Sequence, residues 1–454
     1  MNSTWRHRTW LPAMAVGLAL LMTCTACQDW AQFGGGPALT GNDAGETLIG
    51  PSNVTSLEQA YSVPLPGGSS VVGAPVEADA VIYAGTSDGH LVAASADAHT
   101  NCSGSPVVCQ PLWTAAVGGA TLTTAPVVAN GVVYAAFVNI PAETGLLAAF
   151  DAAGTTDCAG SPKTCQPLWT TPVASPTSGP NVGDGTVFVD DVTTRSVLAF
   201  DAAGVRNCSG SPKVCQPLWT MPTPSLYEPT ISGGHVFVVH SYVSGGTTAN
   251  TIDVYDEAGT TGCAGSPVLC QPLWQISLPA AANSSASVSG GRGYVETNGL
   301  TAFPTDGVTG CSGTPLVCTS TWTAAPIPDT SQYQMAPAVA AGRVWLAGGG
   351  LAAYDADAAS CPGLPSSCLR EAADPASGYS GEMPSPVVTN GLVVAGSQIF
   401  DAAGVTDCTL TPFPLCSPVM TLSVGSGASG AAVSLGTIIL GGTDGSIHAY
   451  QVKP

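Results

Sequence analysis

Apolar residues along this chain come in short runs rich in Val, Ile, Ala and aromatics, separated by clusters of Gly, Pro, Asn, Asp and Ser. Runs bounded in this way read as short strands, and no segment carries the 3.6-residue periodicity of a long amphipathic helix. One nine-residue register occurs eight times, starting at Pro75, Pro126, Pro180, Pro229, Ala286, Pro337, Pro386 and Ala431. Five residues after the start stands Ala80 in the first copy and a glycine in every other copy. Eight residues after the start stands a bulky residue such as Tyr83, Tyr134, Phe188 or Trp345. Within the copy at Pro126, β-branched residues flank Asn130-Gly131. That pair tolerates positive φ at both positions and closes two-residue hairpins, so the register predicts strand, turn, strand.

A third strand follows each copy, as at 146–151 and 197–201, and ends in Asp-Ala-Ala-Gly. In such a turn the Asp accepts backbone amides and the Gly takes positive φ. A fourth strand opens on Pro-Leu-Trp at Trp113, Trp169, Trp219 and Trp274, with Trp322 in a variant context. Four short strands recurring about every 51 residues predict propeller blades. The last copy ends at Ala449-Tyr450-Gln451-Val452 with no fourth strand after it, while a strand-like segment at 57–63 precedes the first copy and carries Tyr61 where Trp113 stands later. An N-terminal strand completing the last blade would remove two exposed sheet edges. The expectation is an all-β, eight-bladed propeller of four-stranded blades over residues 57–454. A lead-in or linker at 27–56, including Gly34-Gly35-Gly36, precedes it.

The cysteines add a second repeat. They fall as Cys102/Cys109, Cys158/Cys165, Cys208/Cys215, Cys263/Cys270, Cys311/Cys318, Cys361/Cys368 and Cys408/Cys416, each pair lying between a third and a fourth strand. Zinc sites take four ligands, and seven pairs without a recurring His do not divide into fours. Local disulfides in an exported chain are the reading, one staple in each of seven blade loops. The first residues agree with export. Arg6, His7 and Arg8 precede an apolar stretch from Trp10 to Met22, and small residues lead to Cys27. Residues 1–26 are read as a signal peptide of the lipoprotein type, with Cys27 (alternatively Cys24) as the lipidated residue.

Composition excludes several function classes. Only 9% of the 454 residues are charged and 45% are hydrophobic, the reverse of a disordered chain. Ten Lys and Arg against thirty Asp and Glu exclude a nucleic-acid binder, which needs clustered cations. Removing 1–26 takes away two arginines and no acid, so the mature chain is more acidic still.

The Pro-Val-Val, Gly, Val-Tyr, Leu-x-Ala-x-Asp and Leu-Trp elements at Pro126 to Trp169 and Pro180 to Trp219 resemble the quinoprotein-type (pyrroloquinoline-quinone repeat) propeller superfamily. Asp29-Trp30-Ala31-Gln32-Phe33-Gly34 is similar to the lead-in of such propellers. The resemblance implies the eight-bladed fold and two kinds of function. One is a quinone-dependent dehydrogenase with an axial quinone, a stacking Trp, a vicinal disulfide and calcium. The other is a non-enzymatic lipoprotein scaffold of the outer-membrane barrel-assembly kind. This chain has no adjacent cysteines. Its tryptophans and Asp151, Asp201, Asp256, Asp355 and Asp401 follow the repeat and so read as blade packing and turn caps. Ser95 and Pro304 replace the Asp in two copies, and the histidines form no ligand set.

Residues that break the repeat just before the first strands are the candidate binding residues. These are Tyr227 and Glu228; Tyr333, Gln334 and Met335; and Tyr379, Glu382 and Met383, with loop insertions at 139–145 and 241–251 beside them. Tyr and Met suit adaptable recognition surfaces. No catalytic residue, no metal site and no cofactor is assigned; pyrroloquinoline quinone and calcium lack their residues. The expectation is a monomeric, non-enzymatic binding or scaffolding module of the cell envelope. It would touch the membrane through its lipid anchor alone, and its partner would be an envelope protein or a glycan. Glycan processing and a quinone-dependent dehydrogenase are the alternatives.

Overall fold

The computed structural model describes residues 29–453 apart from 118–120, 123, 140–143, 241–242, 245–246, 249, 325–335, 348–349, 358–368, 374–383, 410–414 and 425–426. The eight register copies form the inner strand pairs of eight consecutive sheets, and the molecule is an all-β, eight-bladed propeller. Blade 2 is representative: Val127–Ala129, Val132–Asn139, Thr144–Asp151 and Trp169–Pro172 pair antiparallel in that order. The hairpin between its first two strands turns at Asn130 (φ 51°) and Gly131 (φ 74°), as the Asn-Gly pair requires. Blade 8 joins Ala428–Ser434, Thr437–Gly442 and Ser446–Val452 to the N-terminal strand Leu57–Pro64, which runs antiparallel to the last of them. The ring is closed by pairing the two ends of the chain.

Blade-to-blade packing explains the third and fourth strand motifs together. Trp113 of blade 1 is buried and donates its indole Nε1–H to the carbonyl of Ala152, in the Asp-Ala-Ala-Gly turn of blade 2. Tyr83 donates its hydroxyl to the same carbonyl at 3.0 Å. Trp169 and Tyr134 of blade 2 treat Ala202 of blade 3 in the same way. Tyr61, standing where a tryptophan stands elsewhere, donates to the carbonyl of Ala96. Each turn is therefore the socket of the preceding blade's aromatic. The aspartates cap it: Asp151 Oδ2 accepts the amides of Thr155 and Thr156, and Asp256 Oδ2 those of Thr260 and Thr261. Where Ser95 and Pro304 interrupt the motif, the carboxylate is moved two residues along rather than lost. Asp97 accepts from Ser95 Oγ and the His99 amide, and Asp306 accepts the amides of Val308 and Thr309.

Disulfides join Cys102–Cys109, Cys158–Cys165, Cys208–Cys215, Cys263–Cys270, Cys311–Cys318 and Cys408–Cys416, while Cys361 and Cys368 lie outside the described residues. Cross-links in this number belong to an exported chain in an oxidising compartment. Each closes a small hairpin, and the hairpin does more than tie its own loop. Its second strand lies parallel to the fourth strand of the preceding blade: Thr164 pairs with Thr114, Val214 with Thr170, and Leu269 with Thr220. The blade 1 hairpin covers Leu57–Pro64 at the outer edge of blade 8. The staples thus cover outer sheet edges that would otherwise offer unpaired amides. Replacing Cys158 and Cys165 together by serine should cost about 2–3 kcal/mol by the chain-entropy estimate. Hydrogen exchange should then rise at Thr114 and Trp169, because the hairpin holds one edge and leads into the other. Unchanged protection at Thr114 would contradict the edge-covering role.

The segment before the propeller winds round its axis, inside the ring of first strands. Carbonyls from this segment accept the first-strand amides of successive blades: Trp30 from Glu77 of blade 1, Ala31 from Val128 of blade 2, Pro37 from Ile231 of blade 4, and Ala38 from Val288 of blade 5. Thr40 and Gly41 continue with Val339 of blade 6 and Val388 of blade 7. Asn181 of blade 3 donates its Nδ2 to Pro37. Asn42–Asp43 then adds a parallel strand inside blade 7, and Glu46 Oε2 accepts the Gly436 amide of blade 8. Trp30, Leu39 and Ile49 are buried. Gly41 has φ 60°, and a Cβ on it would come within 2.7 Å of Ala338 Cβ and 2.8 Å of the Pro386 carbonyl. The Gly34-Gly35-Gly36 run lies in the short turn at Phe33–Gly35 within this axial plug.

Candidate functional site

Above the plug lies a cavity of about 310 Å³ on the propeller axis. Trp30, Phe33 and Leu39 of the plug form its floor, and all eight blades contribute to its wall. The wall is built by one position of the repeat, the residue immediately before each register start. Seven of these are small: Ala74, Ala125, Gly179, Ser285, Ala336, Ser385 and Gly430. The eighth is Glu228. Small residues let eight inner strands converge without filling the axis, so Glu228 is the one long side chain in a ring of Gly, Ala and Ser.

Glu228 is 6% exposed, and its Oε1 has no hydrogen-bond partner. Burial, and then the neighbouring Asp190, push its carboxyl well above the usual carboxylate range. Thr124 Oγ1, on the wall from blade 2, is also buried without a partner. Both side chains flank Gly179. The position a Cβ would take on Gly179 lies 3.0 Å from Glu228 Oε2, 3.0 Å from Thr124 Oγ1 and 3.4 Å from the Ala125 carbonyl oxygen. Asp190 shapes the loop that presents Gly179. It is fully buried, and its carboxylate accepts the amides and hydroxyls of both Thr177 and Ser178. Burial raises its pKa against those hydrogen bonds. Tyr227 faces the same cavity but spends its hydroxyl on the Ala282 carbonyl at 3.1 Å.

Of the residues singled out in the sequence, Tyr227 and Glu228 therefore line one cavity. Tyr333, Gln334, Met335, Tyr379, Glu382 and Met383 lie outside the described residues, as do Cys24 and Cys27. Thr124, Gly179 and Asp190 were not legible as site residues. Thr and Gly are ordinary before a strand, and Asp190 sits mid-strand with no motif around it. The retrievable signal was positional, one glutamate in a column of Gly, Ala and Ser.

The donor set decides what the cavity fits. Among the described residues no group of three or more His, Cys, Asp or Glu gathers to hold a metal ion. The described residues of the cavity wall carry one carboxyl and no Lys, Arg or His. The adjoining sequences 325–335 and 374–383 contain no basic residue either. A pyrroloquinoline quinone carries three carboxylates and needs cationic partners once it leaves water. These residues do not fit that group.

The raised and lowered carboxyls give the fold a defined pH profile. Glu296 and Glu257 are pushed up to about 7 and Asp43 to about 6, in each case chiefly by burial. An acid raised in the folded state holds its proton where the unfolded chain has lost it, so these groups add stability as pH falls from 7 toward 5. The turn caps run the other way. At Asp151, Asp201, Asp256 and Asp401 burial raises the carboxyl, but the turn's hydrogen bonds outweigh it and hold the group below its ordinary value. At Asp306 hydrogen bonds from Thr309 dominate from the outset. Stability from these caps is lost as pH falls below about 4. The thermal midpoint should therefore peak between about pH 4.5 and 5.5. A midpoint that rises steadily from pH 5 to 8 would contradict this assignment.

No family model matches the sequence, and no curated protein matches it. Solved structures do. The computationally designed Ika8 protein aligns with TM-score 0.58 at 12% identity, covering 87% of this chain and all of that one. BamB from Moraxella catarrhalis aligns with TM-score 0.53 at 13% identity, covering 87% of this chain and 98% of that one. The quinohemoprotein alcohol dehydrogenase ADHIIG from Pseudomonas putida HK5 aligns with TM-score 0.55 at 11% identity, covering 94% of this chain and 80% of that one. At these identities the likeness is one of fold, an eight-bladed β-propeller.

Proposed function

We propose that this chain is a non-enzymatic binding or scaffolding module of the cell envelope, and that the propeller face at the mouth of the axial cavity is its recognition face. The observation that carries this reading is the axial cavity itself. It is floored by the chain's own plug and walled by small residues around one carboxyl, and among the described residues no group of three or more His, Cys, Asp or Glu gathers to hold a metal ion. The fold's likeness to BamB as well as to a dehydrogenase leaves room for a member without chemistry.

The chain's ends support an orientation. Asp29 lies against Asp79, in the turn joining the first two strands of blade 1, and the amide of Lys453 donates to Ser56. Those first-to-second-strand turns sit at the end of the inner strands opposite the cavity mouth. An anchor at Cys27 would tether the propeller by that far face and turn the mouth toward the envelope space.

The test is site-specific photo-crosslinking in the native envelope. Probes at Leu226, Ser385 and Ser429, which line the cavity, should give a common adduct, and a probe at Val205, exposed in a blade 3 turn, should not. Adducts from Val205 alone would overturn the reading. A stoichiometric spectral complex with pyrroloquinoline quinone and calcium would replace it with a dehydrogenase.

A further inference from the structure

We infer that the axial cavity is a receptor for a primary ammonium group carried on an apolar body. The inference rests on the reading of this cavity as a binding site and adds the chemistry of what it takes. Three oxygens of different kinds cluster beside Gly179 at the cavity wall: the Glu228 carboxyl, the Thr124 hydroxyl and the Ala125 carbonyl. An ammonium has three donors and no acceptor, which matches three converging acceptors. Glu228 Oε1 and Thr124 Oγ1 are both buried and unpartnered, a costly arrangement that a ligand donor relieves.

Charge points the same way. Glu228 and Asp190 are both buried and both acidic, and among the described residues no basic side chain lines the cavity. An anion is therefore disfavoured, and a cation relieves the repulsion between the two carboxyls. The rest of the lining is mainly apolar, with Trp30, Phe33, Leu39 and Val387 among small residues that include Ser285, Ser385 and Ser429. Its apolar part offers a hydrocarbon body a surface to pack on. Three oxygens also fall short of the six to eight that calcium takes. The ammonium could come from a free amine or from a lysine side chain of a partner protein. The chemistry at the site is the same, and the size of the body distinguishes the two.

Isothermal titration of the whole chain with n-hexylammonium, n-hexanol and n-hexanoate tests the inference. Hexylammonium should bind, hexanol should bind at least about tenfold more weakly, and hexanoate should give no heat of binding. Glu228→Gln should weaken hexylammonium at least about tenfold and leave hexanol unchanged. Gly179→Ala, whose Cβ would enter the space between the two oxygens, should abolish the difference between hexylammonium and hexanol. It does so without asking for a left-handed backbone. Circular dichroism and the thermal midpoint establish that each variant is folded, and if one variant does not fold, the other still decides the question. N-acetyl-lysine N-methylamide binding as well as hexylammonium identifies a protein lysine as the source; hexylammonium alone identifies a free amine. Equal binding of hexanol and hexylammonium, or displacement of hexylammonium by calcium ion alone, would overturn the inference. Mouth-specific crosslinks without amine binding would sink only this inference. Amine binding without any mouth-specific crosslink would sink only the partner-binding role.

Discussion

A chain that begins at residue 51, with the propeller strands intact but the axial plug removed, should lose most of its stability. The plug buries Trp30, Leu39 and Ile49. At about 2 kcal/mol for each fully buried large apolar side chain, that is roughly 6 kcal/mol before any hydrogen bond is considered. Its removal also leaves unpaired the first-strand amides of Glu77, Val128, Ile231, Val288, Val339 and Val388. Water can reach some of these once the axis opens, so their cost is less than that of dry orphans. Domains of this kind carry about 5–15 kcal/mol in all. The expected result is a thermal midpoint lowered by more than about 10 °C, or no cooperative transition at all. Strong binding of an apolar dye at the opened axis should accompany it. A midpoint within about 2 °C of the full chain would show that the eight blades close without help from their centre.

The plug is also the element the sequence told least about. Strands that pair with a neighbour in the chain announce themselves by local alternation and turn residues, and all eight inner hairpins were legible for that reason. The closing strand at 57–64 was legible by counting, since the last copy lacks its fourth strand and the first copy is preceded by a spare one. Residues 29–50 have neither aid. They contribute backbone carbonyls, one at a time, to different blades, and a carbonyl has no sequence signature. Their glycines read as flexible chain although Gly41 is there because no side chain fits between Ala338 and Pro386.

The site shows the same division. Tyr227 and Glu228 were visible because they break a repeat at a position whose place in the fold is known. Thr124 and Gly179 were not, because their role arises only when blades 2, 3 and 4 are set side by side. The cysteine repeat was legible as pairs and silent about what the pairs do. Spacing within a loop says which residues can be linked, and nothing in it says that the linked hairpin reaches back to the preceding blade.

The second large effect concerns the socket between blades. Gly154→Ala should cost at least about 3 kcal/mol, while Gly131→Ala should cost about 1 kcal/mol. The backbone demand is the same at both positions, with φ 61° at Gly154 and 74° at Gly131, and any alanine pays for a left-handed conformation. The surroundings differ. Nothing lies within 4 Å of a Cβ on Gly131. A Cβ on Gly154 would press into the indole of Trp113, 2.7 Å from its Nε1 and closer still to its Cδ1. The indole cannot yield, because it is buried between blades and its Nε1–H is held by the Ala152 carbonyl. Relief would require blade 2 to back away from blade 1, and closed rings have no slack to give. Gly204 over Trp169 repeats the arrangement one blade on, so Gly204→Ala should match Gly154→Ala and not Gly131→Ala. Equal losses at Gly154 and Gly131 in urea unfolding would mean that backbone strain, not the indole, makes these turns glycine.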